Sequence, residues 1–367
     1  MNPEYLRDAL ALARRGCGQT SPNPAVGAVL VRDGVVAGRG YHTYARIKHA
    51  EILALEEAGE RARGATLYIN LEPCCHQGRT GPCTQALIQA GVARVVAAME
   101  DPNPAVSGEG FRQLRAAGID VVVDETFRHE AETLNEAFVH FMRRGRPLVM
   151  LKSAVTLDGK IAAPEDNSGW ITSEAARAHV QQLRHASDTI LTGIGTVLGD
   201  DPQLTDRSGL ERSRPLLRIV VDSQLRIPLH SRMVSGANND LLVVTTSAPS
   251  AAKRQALEEL GVQVLVSDGR DGRTDLPALV KHLGAQRYLS LMIEAGSKVN
   301  WAALESGIVD KIFFYYAPKI LGGMQSLPVA GGAGRRRRVD AIRFHNVQLH
   351  RITEDEFAVE AWMVKER

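Results

Sequence analysis

The chain has 367 residues, of which 44% are hydrophobic and 23% charged. This is the composition of a soluble globular protein, and the length favours two domains over a single hydrophobic core. The formal net charge is only +2, which excludes a strong overall field for nucleic acid or an anionic membrane. The N-terminus lacks an apolar signal core and no apolar run approaches ~18 residues. We therefore expect a cytoplasmic protein without a membrane segment.

The first 144 residues alternate predicted helices and strands. Apolar residues at helical spacing predict a helix from Glu4 to Arg15, with Gly16 as its C-cap. Two extended runs on either side of Asp33-Gly34 predict a β-hairpin. The pattern continues as helix 49–62, strand 65–70, helix 82–90, strand 93–99, helix 109–117, strand 119–123 and a helical remainder. Strands that alternate with helices predict an α/β sheet covered on both faces.

Three potential zinc ligands follow this pattern. His49 and Cys83 each fall at the start of a predicted helix, and Cys74 lies just past a strand. One imidazole and two thiolates are three of the four ligands of a tetrahedral zinc, and a catalytic site leaves the fourth position to water. Glu51 is close enough along the chain to carry protons to and from that water. The four residues predict a catalytic zinc centre.

Another interpretation of this region stays open. Cys75 or His76 would supply a fourth protein ligand and make the zinc purely structural. Adjacent residues in an extended chain point to opposite sides, which makes Cys74 and Cys75 awkward ligands for one ion. With a catalytic zinc, Cys75 becomes a small loop-packing residue and Cys17 a buried apolar one.

The stretch from Glu72 to Cys83 resembles the deaminase domain of the bifunctional riboflavin-biosynthesis deaminase/reductases, and the Pro22 to Gly27 stretch is also similar. Zinc nucleobase deaminases in general carry H-x-E followed by P-C-x-x-C, and this chain departs from the second part. The family usually has two prolines before the last cysteine, where this chain has Gly81-Pro82, a change we expect to alter loop stiffness more than ligation. The resemblance implies a cytidine-deaminase-like three-layer α/β/α domain over residues 1–145.

Asn23 lies between two prolines in a loop just before the first strand. A stiffened loop could hold its amide to read a pyrimidine edge, whereas a plain Asx turn is the other interpretation. The resemblance favours substrate contact, with His42 and Arg79 as further candidates. The guanidinium of Arg79 suits a phosphate because it forms two parallel hydrogen bonds.

Charge, Gly and Pro at residues 143–147 predict the linker to a second domain. Further strands are predicted at 148–155, 189–192, 288–294, 311–317 and 357–364, with a helix over 297–306. The Gly-rich dinucleotide fingerprint and the Walker loop are both absent. Gly193 and Gly296-Ser297 nonetheless follow strands at helix starts, where backbone N–H groups can approach a phosphate.

Several stretches of this half resemble the reductase domain of the same family. They are residues 152–160, 170–173, 193–202, 221–223 and 294–296. The resemblance implies a dihydrofolate-reductase-like α/β domain over residues 146–367 that uses NADPH. It implies cofactor contacts from Ala154, Trp170, Thr196, Asp200, Ser223, Gly296, Ser297, Lys298, Val299, Asn300, Trp301 and Ala302. It implies substrate contacts from Ser168, Arg184, Leu204, Arg207 and Glu294. Without the family, each of these residues is better explained in an ordinary way: Trp170 as a core residue, Arg184 as a solvated helix residue and Asp200 as a turn former before a proline.

The resemblance implies a bifunctional enzyme. Zinc-dependent deamination of 2,5-diamino-6-ribosylamino-4(3H)-pyrimidinone 5′-phosphate would precede NADPH-dependent reduction of its ribosyl group to ribityl. The expected partners are small pyrimidine ribose phosphates, without nucleic acid or membrane, and members of the family often form homo-oligomers. Two alternatives are a nucleic-acid deaminase, disfavoured by 5% aromatic residues and the low charge, and a zinc-stapled binding module without chemistry. The basic run Arg335 to Arg338 is predicted to be a solvated loop.

Overall fold

A computed structural model describes residues 2–78, 80–165 and 169–365. The chain divides into two compact units, Met1–Gly145 with Glu211–Arg214, and Arg146–Leu210 with Pro215–Arg367. Arg79 and Ser168, two of the predicted substrate contacts, lie outside the described residues. Within the described ranges, every helix is too short or too polar to cross a membrane.

The first unit is built on one five-stranded sheet with the order β2-β1-β3-β4-β5. Its strands are β1 Gly27–Arg32, β2 Val35–Tyr41, β3 Thr66–Ile69, β4 Arg94–Ala97 and β5 Asp120–Val123. Its helices are α1 Glu4–Arg15, α2 Ala50–Ala58, α3 Cys83–Gln89, α4 Glu109–Ala116, α5 Arg128–Leu134 and α6 Glu136–Arg144. β1 pairs antiparallel with β2 and β3, while β3, β4 and β5 run parallel. The predicted hairpin is confirmed.

Alternating side chains of the strands pack against helices on both faces of this sheet. Ala28 and Leu30 of β1 join the cluster that α2, α3 and α4 cover. Val29 and Val31 of the same strand join the cluster formed with α1, α5 and α6. The period of two along a strand sends neighbours to opposite faces, so one strand contributes to both cores. The predicted three-layer α/β/α arrangement is confirmed.

Two helices differ from the prediction, each for a local reason. α2 ends at Ala58, since Gly59 has φ +55° and the chain continues as a 3-10 turn to Ala62. The helical remainder is broken at Asn135, which has φ −109° and ψ 23°. The Asn135 side chain accepts from the Ala25 N–H and donates to the Ala25 carbonyl, so it serves the loop before β1.

Two glycines of β2 bring α2 close to the sheet. A Cβ at Gly38 would lie 2.2 Å from the carbonyl oxygen of Ala54, and one at Gly40 would lie 2.2 Å from that of Ala50. Real side chains do not tolerate such contacts with backbone, so only glycine allows this approach. The close packing fixes the N-terminus of α2, where His49 is the N-cap.

The second unit contains a nine-stranded sheet with the order β11-β10-β9-β8-β12-β6-β13-β16-β15. Its strands are β6 Leu148–Thr156, β7 Lys160–Ala162, β8 Thr189–Gly193, β9 Leu217–Val221, β10 Leu241–Thr245, β11 Gln263–Val266, β12 Ser290–Ile293, β13 Lys311–Ala317, β14 Leu327–Pro328, β15 Phe344–Arg351 and β16 Phe357–Met363. Its helices are α7 Glu174–Ala186, α8 Ile194–Asp200, α9 Arg232–Ser235, α10 Ala251–Glu259, α11 Leu276–Ala285 and α12 Ser297–Glu305. β7 and β14 form a separate small ribbon.

Seven neighbouring strands of this sheet are parallel, and β16 and β15 add an antiparallel edge. All residues of β8 and β10 are buried, as expected for parallel strands covered on both faces. β8, β12 and β6 are adjacent at the centre, so their carboxyl ends meet at one edge. α8 and α12 both begin there, which brings the two predicted Gly-containing junctions together. Ligands of open α/β sheets bind at this kind of edge.

Candidate active sites

The three predicted zinc ligands meet in the first unit. His49 is the N-cap of α2 and Cys83 is the first residue of α3, as predicted. The Nδ1 atom of His49 lies 3.4 Å from Sγ of Cys74 and 3.3 Å from Sγ of Cys83. All three ligand atoms lie within 4.8 Å of one another. One tetrahedral ion can therefore be bound by all three side chains.

The protonation of the two thiols also fits a divalent cation. A hydrogen bond from the Cys83 thiol stabilises the Cys74 thiolate and lowers the Cys74 pKa to about 4. The same contact, with burial, raises the Cys83 pKa well above its ordinary value. Without a cation the pair retains a proton, because two adjacent buried thiolates repel. A zinc ion would offset both charges, so this donor set fits the metal.

Neither alternative fourth ligand joins this group. Among the described residues, the cluster that could hold a metal contains His49, Cys74 and Cys83 without Cys75 or His76. Cys75 is half-buried, and burial raises its thiol pKa. His76 is exposed. Three protein ligands correspond to a zinc site that retains an open position for chemistry.

Glu51 lies in the first turn of α2 beside the ligands and is 4% exposed. Burial is the main cause that raises its pKa to about 7, and the charge of Cys74 adds to the effect. Its carboxyl group is also hydrogen-bonded to Cys83. A carboxyl group that titrates near neutrality can both accept and donate a proton, which suits a general acid–base residue.

Asn23 and His42 lie next to the ligand cluster. The imidazole rings of His42 and His49 are 5.2 Å apart with their planes at 74°. His42 Nδ1 lies 3.0 Å from the Lys48 carbonyl, which can only accept, so Nδ1 is the donor. His42 Nε2 then accepts from the Asn23 amide at 3.1 Å. This polar chain connects the Pro22-Asn23-Pro24 loop to His42, whose ring lies against that of His49.

Sequence reasoning gives no role to Glu72, which the structure places at the base of the cysteine loop. Its carboxylate is buried and accepts from the backbone N–H groups of Asp101, Gly108 and Phe111 at 2.9–3.1 Å. These bonds connect the strand end that leads to Cys74 with the loop before α4 and with the first turn of that helix. A buried carboxylate requires such donors, so a Glu at the start of E-P-C was a usable signal.

In the second unit, Glu294 lies just beyond β12 between two cations. The Lys152 Nζ atom is 3.0 Å from one carboxylate oxygen, and Arg184 donates to the other from Nε at 3.1 Å and Nη2 at 3.0 Å. Burial opposes ionisation, but the charges of Lys152 and Arg184 outweigh it and lower the Glu294 pKa to about 2. Arg184 is 8% exposed, so its interpretation as a solvated helix residue is wrong.

Lys152 has no role in the sequence prediction, although a signal for it exists. It is the one charged residue in the predicted strand 148–155. Buried lysines need a partner, and that partner is Glu294.

Leu204 and Arg207 lie in the segment that follows α8. Leu204 is buried with φ +51°, whereas Arg207 is exposed. Nη1 of Arg184 donates to the Thr205 carbonyl at 3.1 Å. Arg184 therefore connects this segment to Glu294, which brings four of the predicted substrate residues into one neighbourhood.

The first turns of α8 and α12 lie side by side next to Glu294, with open space over Gly195, and this space between the two helix starts is called the groove below. A Cβ on Gly296 would meet only Thr196 Oγ1, at 3.9 Å, among the described atoms. Oγ1 of Thr192, at the end of β8, is buried without a hydrogen-bond partner within the described structure. Free N–H groups at the start of a helix and an unsatisfied hydroxyl are suited to phosphate oxygens. These features fit a nucleotide pyrophosphate.

The remaining predicted cofactor residues are distributed around this groove and along α12. Ser297 Oγ donates to the Pro328 carbonyl and Asn300 Nδ2 to that of Val329, so both side chains hold a neighbouring segment. Ser223 Oγ accepts from Thr274 N–H at 3.2 Å just after β9. Ala154 is half-buried in β6, Asp200 ends α8 exposed, and Lys298, Val299, Trp301 and Ala302 belong to α12.

Trp170 is 68% exposed and packs against the Arg177 guanidinium at 4.9 Å, so its interpretation as a core residue is wrong. Arg335 of the predicted solvated run is exposed but lies over the Trp301 ring at 5.6 Å.

Comparison with known proteins places both units in described families. Residues 2–99 match the cytidine and deoxycytidylate deaminase zinc-binding region, and residues 147–356 match the RibD C-terminal domain. The riboflavin biosynthesis protein RibD of Actinobacillus pleuropneumoniae is 43% identical over 352 residues, covering 96% of this chain and 93% of that protein.

Two solved structures resemble the chain over almost its whole length. Acinetobacter baumannii RibD has a TM-score of 0.87 at 35% identity, covering 99% of this chain and 98% of that one. A Thermotoga maritima diaminohydroxyphosphoribosylaminopyrimidine deaminase/5-amino-6-(5-phosphoribosylamino)uracil reductase has a TM-score of 0.83 at 34% identity, covering 98% of each chain.

A cytidine-deaminase-like unit with a three-ligand metal site, joined to a dihydrofolate-reductase-like unit, defines a bifunctional deaminase/reductase. The chain belongs to the RibD family of riboflavin-biosynthesis enzymes. The first unit matches a zinc-binding deaminase region, and its His49, Cys74 and Cys83 side chains fit zinc.

Proposed function

We propose that residues 1–145 deaminate 2,5-diamino-6-ribosylamino-4(3H)-pyrimidinone 5′-phosphate and that residues 146–367 reduce the ribosyl group of the product. The product of both steps is 5-amino-6-ribitylaminouracil 5′-phosphate. The observation that carries the proposal is the buried Glu51 beside three convergent zinc ligands in the first unit. The Glu294 cluster beside an open groove supports the second activity.

In the deaminase site, His49, Cys74 and Cys83 would hold zinc, which supplies Lewis acidity that activates water near neutral pH. Glu51 accepts a proton from the water that attacks the amino-bearing carbon. It then donates this proton to the departing amino nitrogen. Burial of this carboxyl group raises its pKa and so favours the protonated form that donates to the leaving nitrogen. Asn23, held by His42, reads the pyrimidine edge, and Arg79 is proposed as a phosphate ligand.

In the reductase site, NADPH would supply the hydride that reduces C1 of the ribose. Glu294, kept ionised by Lys152 and Arg184, accepts hydrogen bonds from ribose hydroxyls. Leu204, Arg207 and Ser168 are proposed to line the same sugar phosphate. The cofactor would lie along the groove between the first turns of α8 and α12. The proposed contacts there are those of Ala154, Trp170, Thr196, Asp200, Ser223 and Gly296 to Ala302.

The two activities can be tested separately with purified protein and the diaminopyrimidinone phosphate. Ammonia release should occur without NADPH, and NADPH absorbance should fall only once deaminated product is present. Bound zinc without ammonia release would favour a binding module without chemistry. Deamination of an oligonucleotide at low salt would favour a nucleic-acid deaminase instead.

We also propose that the protein is a cytoplasmic homo-oligomer that associates through β15. This strand forms an edge of the large sheet, and its Val347 and Leu349 are 61% and 72% exposed. An exposed apolar edge strand favours association with another chain. Light scattering after size-exclusion chromatography should show an oligomer, and Leu349→Lys should shift it towards monomer. A reducing compartment suits the proposal because zinc binding requires unoxidised cysteines.

A further inference from the structure

The segment between α8 and β9 contains a strained residue. Leu204 has φ +51°, in the left-handed region that a branched, bulky side chain rarely adopts. Its side chain is 6% exposed and belongs to an apolar cluster of the second unit. A conformation of this kind persists only where surrounding contacts impose it, and such positions concentrate at functional sites. The contacts that hold residues 203–208 therefore bear on function.

Three hydrogen bonds hold the backbone around Leu204. Arg218 Nη1 donates to the Gln203 carbonyl at 3.2 Å, and Arg184 Nη1 donates to the Thr205 carbonyl at 3.1 Å. The Arg207 N–H donates to Oε1 of Gln181 at 2.9 Å. Two of these three partners come from α7, the helix that also presents Arg184 to Glu294.

A buried side-chain cluster joins the same segment to α7. Nδ1 of His185 lies 2.9 Å from Oδ2 of Asp206, and both side chains are 7% exposed. Oδ1 of Asp206 accepts from Ser208 N–H at 2.9 Å, and Ser208 Oγ lies 3.3 Å from His185 Nδ1. A hydrogen bond between two buried side chains is directional, so it fixes the position of Asp206 relative to α7.

We propose that His185 and Asp206 are positioning residues for the reductase substrate. They hold residues 203–208 so that Leu204 keeps its left-handed conformation and Arg207 stays in place to contact the sugar phosphate, an inference that rests on the proposed function of this site. His185 follows Arg184 in the chain. One turn of α7 therefore positions both residues 203–208 and the Arg184 side chain that pairs with Glu294. Loss of either side chain leaves the other one buried without its hydrogen-bond partner. The segment then relaxes towards a negative φ at Leu204 and displaces Arg207.

The test uses the full-length, zinc-loaded protein with the deaminated intermediate as substrate. His185→Ala should raise KM for that intermediate about tenfold or more, the effect expected from loss of a charged hydrogen bond, with kcat changed much less. His185→Asn, whose amide can donate from near the position of Nδ1, should keep KM within about threefold of the wild type. Asp206→Asn tests the other partner, and His282→Asn, at a half-buried histidine of α11, is the matched control.

Two further readouts separate positioning from general stability. The Kd for NADPH, measured by tryptophan fluorescence, and ammonia release by the first domain should both stay at wild-type values. A parallel loss of NADPH affinity and melting temperature in His185→Ala and Asp206→Asn would overturn the proposal in favour of a structural role.

Arg207→Ala distinguishes failure of the inference from failure of the proposed site. If it raises KM whereas His185→Ala and Asp206→Asn do not, the positioning proposal is wrong and the substrate site stands. If neither Arg207→Ala nor Glu294→Gln changes KM, the proposed substrate site is wrong, and the positioning role is overturned with it.

Discussion

The carboxyl groups of Glu51 and Glu294 have pKa values displaced in opposite directions. Glu51 is surrounded by apolar helix packing and a neighbouring thiolate, and its pKa rises to about 7. Glu294 is also desolvated, but Lys152 and Arg184 lower its pKa to about 2. Environment therefore decides which carboxyl group exchanges protons near neutral pH and which keeps its charge. The two residues should respond differently to the same isosteric substitution.

Glu51→Gln should reduce the rate of deamination by about 10²–10⁴-fold, the usual contribution of general acid–base catalysis. Reduction of the deaminated intermediate should continue at the wild-type rate, because Glu294 and its partners belong to the other unit. Ammonia release and NADPH oxidation report the two steps. Glu60→Gln, at an exposed carboxyl group shortly after α2, is the control. Loss of both activities in Glu51→Gln would contradict independent sites.

Glu294→Gln should destabilise the second unit in a pH-dependent way. The folded pKa of about 2 lies below the ordinary value of 4.5, so the ionised carboxylate contributes stability above about pH 4.5. That contribution, roughly 3 kcal/mol at 1.36 kcal/mol per pKa unit, is lost as pH falls from 4.5 towards 2. The difference in unfolding free energy between wild type and variant should therefore shrink over this range.

Tryptophan fluorescence during urea unfolding is a suitable measurement for this prediction. Trp170, Trp301 and Trp362 are the three tryptophans of the chain, and all lie in the second unit. The signal therefore follows the unit that contains Glu294. A stability difference that stays constant between pH 5 and pH 3 would argue against the ion-pair explanation.

At the level of elements, the catalytic geometry of the first unit depends on how closely α2 packs on β2. His49 and Glu51 both lie at the start of α2, while Cys74 and Cys83 lie on other elements. A shift of α2 by a fraction of an ångström changes the distances from His49 to both thiols. The glycines of β2 set that distance because a Cβ at Gly38 would contact the backbone of α2.

Gly38→Ala should therefore weaken zinc binding as well as stability. The new Cβ would lie 2.2 Å from the Ala54 carbonyl oxygen, so α2 must move, at a cost of about 1–3 kcal/mol for overpacking. Competition with a chelator measures zinc affinity, and urea unfolding measures stability. Gly81→Ala, in the cysteine loop where a Cβ meets no described atom within 4 Å, should behave as wild type. Equal zinc affinity in the two variants would contradict this account.

At the level of the whole molecule, each unit contains the residues proposed for one of the two reactions. The helix α6 ends at Gly145, with φ +67°, and Arg146 then pairs with the buried Asp310 inside the second unit. The three zinc ligands all lie in the first unit, and Lys152, Arg184 and Glu294 all lie in the second. Each site can therefore be inactivated on its own.

Removal of zinc by a chelator should abolish ammonia release and leave NADPH oxidation with the deaminated intermediate unchanged. Re-addition of zinc should restore deamination, since the ligands are held on helix starts and a strand end that fold around an apolar core. Both rates and the bound metal can be measured on the same sample. A parallel fall in reduction would indicate that the second unit also depends on the metal.

Sequence alone predicted the alternation of helices and strands, a division into two domains, and a group of His49, Cys74 and Cys83 whose ligand atoms the structure brings within 4.8 Å of one another, with Glu51 beside it. These features are local. Hydrophobic periodicity indicates which side of each element is buried, and residues at the start of one helix, such as His49 and Glu51, lie close together because they are near in the chain. Tertiary structure decided the Glu294 cluster, in which Lys152 and Arg184 are 142 and 110 residues away in the chain. It also decided the break at Asn135, the left-handed Leu204 and the link from Asn23 to His42. Parallel strands pair in the order β8-β12-β6-β13, which differs from their order in the chain. Local sequence patterns do not predict which distant strands pair.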